Sequence, residues 1–533
     1  MGREINIDSI LVLDKRIKKI TAELARLKRS RNSLLNIARV PPEILGHIFR
    51  FNVVPEFGDG RFATVRRGSY NFLLVCHHWF EVARRTPELW SFWGNNLDDW
   101  KRQHLRSGIS ALDLVLDGSN HEDGSFDEAL RDALGDRAAR GLIRKVHLRG
   151  GDAKLLTAII SSLTPEDEGV RHSSIESIDL SGVDVSGFFA RRRFPKLRDL
   201  YLSGRFKIST WDHLKLHTTV LTNLSLDFID VISPSAIPTT SQILSLLASN
   251  PNIRSLMLRG LMISDDGENG FTSSVPLCHL EQLSLTGKFH HVHPILHRLE
   301  LPERIDKAEL GFHNCAPEEA VEAAGPYIRD RLQRDARFRD RLGVFVATTP
   351  KSISLHASVV GVGYHGPNRL PQHGPPDASF RVGFSRPISF RERKKLRADV
   401  LALLPLESIV NFKTELMVTE EVIVTMPNLE TLHLVDIEVS DGFLLPKPDG
   451  PNAHKKLLPS LQRLYLEDVM MEDRGWGPLV TYLTHQTSGD QTVSLNVFGD
   501  GVHVCWDVVE QIEDLVEEFI YLPDPNQDCP FDG

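Results

Sequence analysis

Four imidazoles crowd one short stretch of the chain: His290, His291, His293 and His297. His293 and His297 stand four apart, a spacing that would put both on one side of a helix and let them share a metal ion. No His-Glu-x-x-His sequence and no nearby cysteine pair completes such a site, so these read as histidines on a connecting segment and no metal is expected. Gly361-Val362-Gly363-Tyr364-His365-Gly366 has the spacing of a dinucleotide-binding loop and follows a strand-like run from Ile353 to Val360. That chemistry needs a helix directly after the glycines, with its N-terminal amides on the pyrophosphate. Pro367, Pro371, Pro375 and Pro376 follow instead, and they exclude the helix. Asp265-Asp266-Gly267-Glu268-Asn269-Gly270 lacks the ligand spacing of a calcium loop and reads as a turn. Cys76 has no identifiable partner base, so it reads as a packing residue. Neither a Gly-x-Ser-x-Gly elbow nor a phosphate-binding Walker loop is present. The residues offer no catalytic constellation and no cofactor site; the chain reads as a non-enzyme.

Composition narrows the class further. At 533 residues the chain exceeds one ordinary hydrophobic core, so several domains or an extended array are expected. A formal charge of −9 is mild for this length and does not point to nucleic acid. Its distribution is uneven: Lys15, Arg16, Lys18, Lys19, Arg26, Lys28, Arg29 and Arg31 make the start basic, and nothing after Arg474 is Lys or Arg. Five scattered cysteines, an odd number, argue against a disulfide framework and for a reducing compartment. With no membrane-length apolar run and no signal-peptide pattern, a soluble cytoplasmic or nuclear protein is expected.

The elements are legible from periodicity. Ile10, Leu13, Ile17, Ile20, Leu24 and Leu27 alternate by three and four, which predicts a heptad helix over 8–34. Self-association and packing back on the chain's own neighbouring helices are both open to such a helix. Pro41-Pro42-Glu43 then starts a second helix, since proline suits the first turn and an acid suits its dipole. Ile44, Leu45, Ile48 and Phe49 give it an apolar face, and Leu73, Leu74, Val75, Trp79 and Val82 do so for the next helix. Leu89, Trp90, Phe92 and Trp93 add a bulky cluster beyond Pro87. So many large apolar groups in 37–93 exceed what so short a segment can hide, and a second polypeptide is expected to cover some of them.

From about 107 to 505 a different pattern repeats. Ile175-x-x-Ile178-x-Leu180, Leu197-x-x-Leu200-x-Leu202, Leu221-x-x-Leu224-x-Leu226, Ile253-x-x-Leu256-x-Leu258 and Leu280-x-x-Leu283-x-Leu285 share one frame. The frame resumes at Leu429-x-x-Leu432-x-Leu434 and Leu461-x-x-Leu464-x-Leu466, with weaker copies at Leu112/Leu114, Val146/Leu148 and Ala308/Leu310. Several copies open with a proline: Phe194-Pro195, Asn250-Pro251, Met426-Pro427 and Leu458-Pro459. Short strands separated by return helices at a recurring spacing predict an α/β solenoid of parallel strands. Alternation places Tyr201, Ser225, Met257, Ser284, His433 and Tyr465 on the face opposite the leucines, a candidate target-binding column. Residues 343–428 blur the frame, with strand-like Phe380/Val382/Phe384, a helix from about Phe390 to Leu404 and a strand near Ile409. Val508, Val509, Ile512, Leu515, Val516 and Phe519 predict a capping helix over 506–522, followed by a loose tail at 523–533.

The segment Val40-Pro41-Pro42-Glu43-Ile44-Leu45, then Val75-Cys76-His77-His78-Trp79, then Pro87-Glu88-Leu89-Trp90 resembles an F-box, most closely those of mushroom-forming fungi. The repeats resemble an irregular leucine-rich-repeat array, although the Asn or Cys that often closes that family's repeat is missing. This resemblance implies a Skp-type adaptor, and through it a cullin, as partners, with an unidentified protein as target and no membrane. Pro41, Pro42, Ile44, Leu45, Ile48, Val75, Trp79, Leu89 and Trp90 would carry adaptor docking. The implied role is the substrate-recognition subunit of a ubiquitin ligase; the alternative is a non-catalytic interaction scaffold that binds the adaptor without ubiquitination. The stretch 51–70 departs from the family as an insertion in the docking module.

Overall fold

A computed structural model of the chain describes residues 7–35, 39–53, 71–93, 111–117, 143–149, 174–182, 194–204, 220–229, 237–264, 273–313, 317–334, 342–349, 352–359, 379–385, 399, 401–414, 425–435, 438–439, 458–471, 476–487, 492–499 and 506–523. Outside them lie the Gly361–Gly366 loop, the Asp265–Gly270 turn, most of the 51–70 insertion, most of the helix expected over Phe390–Leu404, and the tail beyond Pro523. No described helix is long and apolar enough to cross a membrane. The chain is α/β, with an N-terminal helix and a largely parallel sheet, and it divides into two compact units at residues 221/222.

The first unit opens with α1 (Ile7–Ser33), α2 (Pro42–Val53) and α3 (His77–Arg84), with 3₁₀ turns at Asn71–Leu74 and Pro87–Trp90. Strands β1 (Phe92–Trp93), β2 (Leu112–Asp117), β3 (Ile143–Arg149), β4 (Ser177–Ser181) and β5 (Asp199–Ser203) then pair in chain order, all parallel. The register aligns Leu114, Val146, Ile178 and Leu200 in one buried row. Phe92 and Trp93, read from the sequence as the end of the docking segment, are the first strand of this sheet.

In the second unit the chain runs through β6 (Asn223–Asp227), α4 (Thr240–Ala248), β7 (Ser255–Leu261), β8 (Val275–Pro276), β9 (Gln282–Lys288), α5 (Phe289–Leu296), β10 (Leu299–Glu300), β11 (Lys307–His313) and α6 (Pro317–Arg334). It continues through β12 (Leu342–Thr349), β13 (Ser352–Val359), β14 (Ser379–Ser385), β15 (Ile409–Thr414), β16 (Thr431–Val435), β17 (Glu438–Val439), β18 (Arg463–Glu467) and β19 (Met470–Met471). Last come α7 (Trp476–Thr487), β20 (Ser494–Gly499), α8 (Trp506–Glu513) and β21 (Glu518–Pro523). β6, β7, β9 and β11 pair in parallel. β14 follows β11 in parallel, β13 and β12 add on antiparallel, and β15 returns to parallel against β12. β16, β18, β20 and β21 extend that parallel run.

The proline-opened repeats share one local cause. Leu197, Ile253, Leu429 and Leu461 each donate a backbone hydrogen bond three residues back, to Phe194, Asn250, Met426 and Leu458. Proline at the second position of such a turn has its φ preset. Each residue before the proline is buried, so the turn is anchored as well as bent. Asn250 also donates to the Leu246 carbonyl at 2.8 Å, satisfying a free group at the end of α4. At the start of α4, Thr239 Oγ1 accepts from the Gln242 amide and Gln242 Oε1 accepts from the Thr239 amide, a reciprocal cap.

One expectation is corrected. The helix predicted over 506–522 stops at Glu513, and Glu518–Pro523 forms β21 instead, parallel to β20. Val509 and Ile512 have helical spacing and are buried. From Glu518 onward aromatic and β-branched residues alternate with period two, which favours a strand; Phe519 and Tyr521 accordingly stack, with centroids 6.4 Å apart. Strand pairing therefore runs to residue 523 and does not end near 505.

The buried row makes a measurable claim. Leu432, fully buried between Phe412 and Leu464, should cost about 2–5 kcal/mol on replacement by alanine. Denaturant unfolding of Leu432→Ala, followed on the transition of the second unit, checks this.

Candidate docking surface

Two apolar stripes run along α2. Leu45 and Phe49, four apart, turn inward and are fully buried. Phe49 stacks on Phe72 at 4.4 Å and lies 5.1 Å from Trp79 in a tilted arrangement. Phe72, Val82, Ala83, Leu89 and Trp90 complete this small core, with Val40, Leu73 and Trp79 packed at its edge. Trp90 Nε1 donates to the Ala83 carbonyl at 2.9 Å and Thr86 Oγ1 donates to the Val82 carbonyl at 2.8 Å, whereas the buried Trp79 Nε1 has no hydrogen-bond partner. Gly46, also buried, faces Thr86 so closely that a Cβ would sit 3.3 Å from its Oγ1. Cys76 caps α3, its sulfur accepting from the Trp79 amide at 3.5 Å. That is a structural task for this thiol.

The second stripe faces outward. Ile44, Ile48 and Phe51 recur at four and three residues and are 50%, 41% and 84% exposed. Leu74 and Val75, at the end of the 3₁₀ turn whose Phe72 stacks on α2, are 85% and 55% exposed. Of the residues the sequence singled out for docking, Pro41, Pro42, Ile44, Ile48 and Val75 are on the surface, whereas Leu45, Leu89 and Trp90 build the core beneath it. Trp79 lies between the two sets, partly buried. Phe51 and Leu74 join the surface although neither was assigned to docking; the i, i+4, i+7 spacing from Ile44 marks Phe51, and Leu74 adjoins Val75 in the sequence.

The face opposite the leucines forms a second candidate surface. In the second unit the register aligns Ser225, Met257, Ser284 and Glu309, then Arg381, His356, Phe345 and Lys413, then His433, Tyr465 and Asn496. Five of the six residues predicted for a target-binding column thus fall in one row. Tyr201, 38% exposed, belongs to the first unit, in register with Asp179 and His147. Ser284 and Tyr465 are buried and His433 is nearly so, which makes this row tighter than an open face. Ser284 Oγ donates to Glu309 at 3.1 Å. Glu467 takes Lys413 Nζ at 3.1 Å and lies 2.8 Å from His433 Nε2. Burial, with the Lys413 ammonium beside it, pushes His433 down to about 4 against the pull of Glu467.

The clustered histidines lie on and just past α5. The rings of His293 and His297 stack at 5.9 Å, so the helical spacing does bring them together. They border a cavity of about 900 Å³ between α5 and α6, with Phe289, Glu322 and Tyr327 among its lining. Among the described residues no three metal-ligating groups come together there or elsewhere. His291 is pushed down to about 4 by burial and by His290 beside it.

Both histidines held near 4 are neutral when folded at neutral pH and would charge near 6.5 once unfolded. Their stabilising effect is complete above about pH 6.5 and disappears as pH falls towards 4. The melting temperature of the second unit should therefore fall between pH 7 and 4, less steeply in His433→Asn, as differential scanning calorimetry across that range would show.

Compared with models of known protein families the chain matches none, and no curated protein matches it.

Proposed function

We propose that the chain is a substrate-recognition subunit of a ubiquitin ligase, in which an F-box-like hook docks on a Skp-type adaptor and a leucine-rich-repeat-like solenoid presents a target. The observation that carries this reading is the outward apolar stripe of Ile44, Ile48 and Phe51 above a module that already has its own core. Exposed apolar surface of this kind, beside more of the same at Leu74 and Val75, marks a site completed by another protein. The proline pair, the acid after it and the tryptophans of the resembling segment agree with a hook of this family. Ile44, Ile48 and Val75 make the contact, Pro41 and Pro42 set the start of its helix, and Leu45, Leu89 and Trp90 hold the surface in shape.

In this reading ubiquitin transfer belongs to partner proteins, and the chain contributes proximity and orientation of the target. The target lies against the polar row of the sheet, where Ser225, Met257, Ser284, His433 and Tyr465 stand beside the charges of Glu309, Lys413 and Glu467. Such a row, with charges among aromatics, suits a polar protein segment. The work is done in the cytoplasm or nucleus.

Because Ile44 and Ile48 are outside the module's core, charged replacements there spare the fold. Ile44→Asp with Ile48→Asp should weaken adaptor capture by about a hundredfold or more, with an unchanged melting profile. Pull-down with purified adaptor, alone and with cullin, tests this. Unchanged capture by the variant would remove the docking reading, and adaptor capture without cullin would remove the ligase.

A further inference from the structure

α1 carries the largest unpartnered apolar feature among the described residues. Ile10, Leu13, Ile17, Ile20, Leu24 and Leu27 are each 46–60% exposed, and no described element packs along them. The helix has 27 residues, roughly 40 Å at 1.5 Å per residue. Of the two outcomes open to it, packing back on α2 and α3 is not the arrangement found. A helix gains most of its stability by burying its apolar stripe, so this seam calls for an occupant.

The residues beside the seam identify that occupant. With Ile10, Ile17 and Leu24 at heptad position a and Leu13, Ile20 and Leu27 at d, Lys15, Lys18, Lys19, Arg26 and Arg29 fall at b, c and f, away from any partner helix. Arg31 alone among the basic residues of α1 falls at a core position, the a of the last turn, so like charge opposes self-pairing only at that end of the seam. The flanking e and g positions hold Asp14, Thr21 and Lys28, and Ser9, Arg16, Glu23 and Ser30. Two parallel copies in register set Glu23 against Lys28 twice, Arg16 against Thr21 and Ser9 against Asp14. None of these is a like-charge pair. Isoleucine predominates at a and leucine at d, the combination that favours two parallel strands.

We propose that α1 pairs with α1 of a second copy of this chain as a parallel two-stranded coiled coil. Since α2 begins at Pro42, soon after α1 ends at Ser33, this arrangement holds two docking modules at the same end of one coil. Two such modules on one particle bind a multivalent partner with avidity beyond that of either alone. The proposal stands independently of what the docking modules bind.

Sedimentation equilibrium of the full chain should give twice the chain's mass at micromolar concentration. Ile17→Asp with Leu24→Asp should weaken self-association by about a hundredfold or more and leave the chain monomeric. Charge reversal reads the orientation. Glu23→Lys should weaken the dimer by roughly threefold to tenfold, and adding Lys28→Glu should restore it. A monomeric wild-type chain, or a dimer that survives the two aspartates, overturns the proposal. So does rescue of Glu23→Lys by Arg16→Glu in place of Lys28→Glu, because that pair meets only in an antiparallel coil. Adaptor capture measured on the same variants separates the two readings: the α1 variants should retain it.

Discussion

Register between neighbouring strands is the constraint on which the sheet depends. Each strand offers only a few leucines, too little apolar surface to fold alone, so its row is buried only when the next strand sets its own leucines alongside. Leu256 between Leu224 and Leu283, and Leu464 between Leu432 and Leu495, meet that condition. The constraint concerns which face a residue occupies, not which way its strand runs. That is why β12, β13 and β14 can interrupt a parallel array with antiparallel pairs. Leu310, Val382, Leu355 and Val346 remain aligned through the interruption, and the row resumes at Thr414 and Leu434. At Thr414 a hydroxyl residue, almost fully buried, occupies a place that leucine holds elsewhere.

The same accounting divides the helical module. A helix can bury one side in so small a core, and α2 is apolar on more than one. Phe72 and Trp79 decide which side turns inward by meeting Phe49, and the stripe of Ile44, Ile48 and Phe51 is left over. Its exposure does not weaken the core, because Leu45 and Phe49 are already fully covered. In α2 the apolar surplus is a surface built on a finished core, and the surface can be changed without touching that core.

Residue types made much of this legible in advance. The heptad helix, the proline start of α2, the leucine strands and their proline turns all follow from spacing and backbone chemistry; β2 to β7, β9, β11, β16 and β18 fall on those frames, whereas β12, β13, β20 and β21 do not. What the sequence withheld was whatever long-range partners decide. Ile44 and Leu45 are equally apolar neighbours, yet one is half exposed and the other fully buried. The end of the chain shows a related difficulty: Val509 and Ile512 fit a helix, Phe519 and Tyr521 fit both a continuing helix and a strand, and the unpaired edge of β20 settled the matter in favour of a strand. Glu309, Lys413 and Glu467 could not be placed beside Ser284 and His433 without strand pairings, since about 25 to 54 residues separate the partners in Ser284–Glu309 and Lys413–Glu467.

The two faces of the sheet then differ in what they can do. The leucine face is dry and repetitive, and any of its rows resembles the next. The opposite face carries the chain's individuality, and its charges are already engaged with one another: Glu467 with Lys413 and His433, and in the first unit Asp113 with Arg144 at 3.0 and 3.1 Å. A ligand reaching Lys413 must compete with Glu467, so charge alone will select weakly there. Ser284, Tyr465 and Asn496 in the same row are buried, whereas Ile44, Ile48 and Phe51 are exposed and present no charge to be displaced. The two surfaces therefore differ in chemistry: α2 presents exposed apolar side chains, and the sheet row holds charges already paired with one another among buried polar groups.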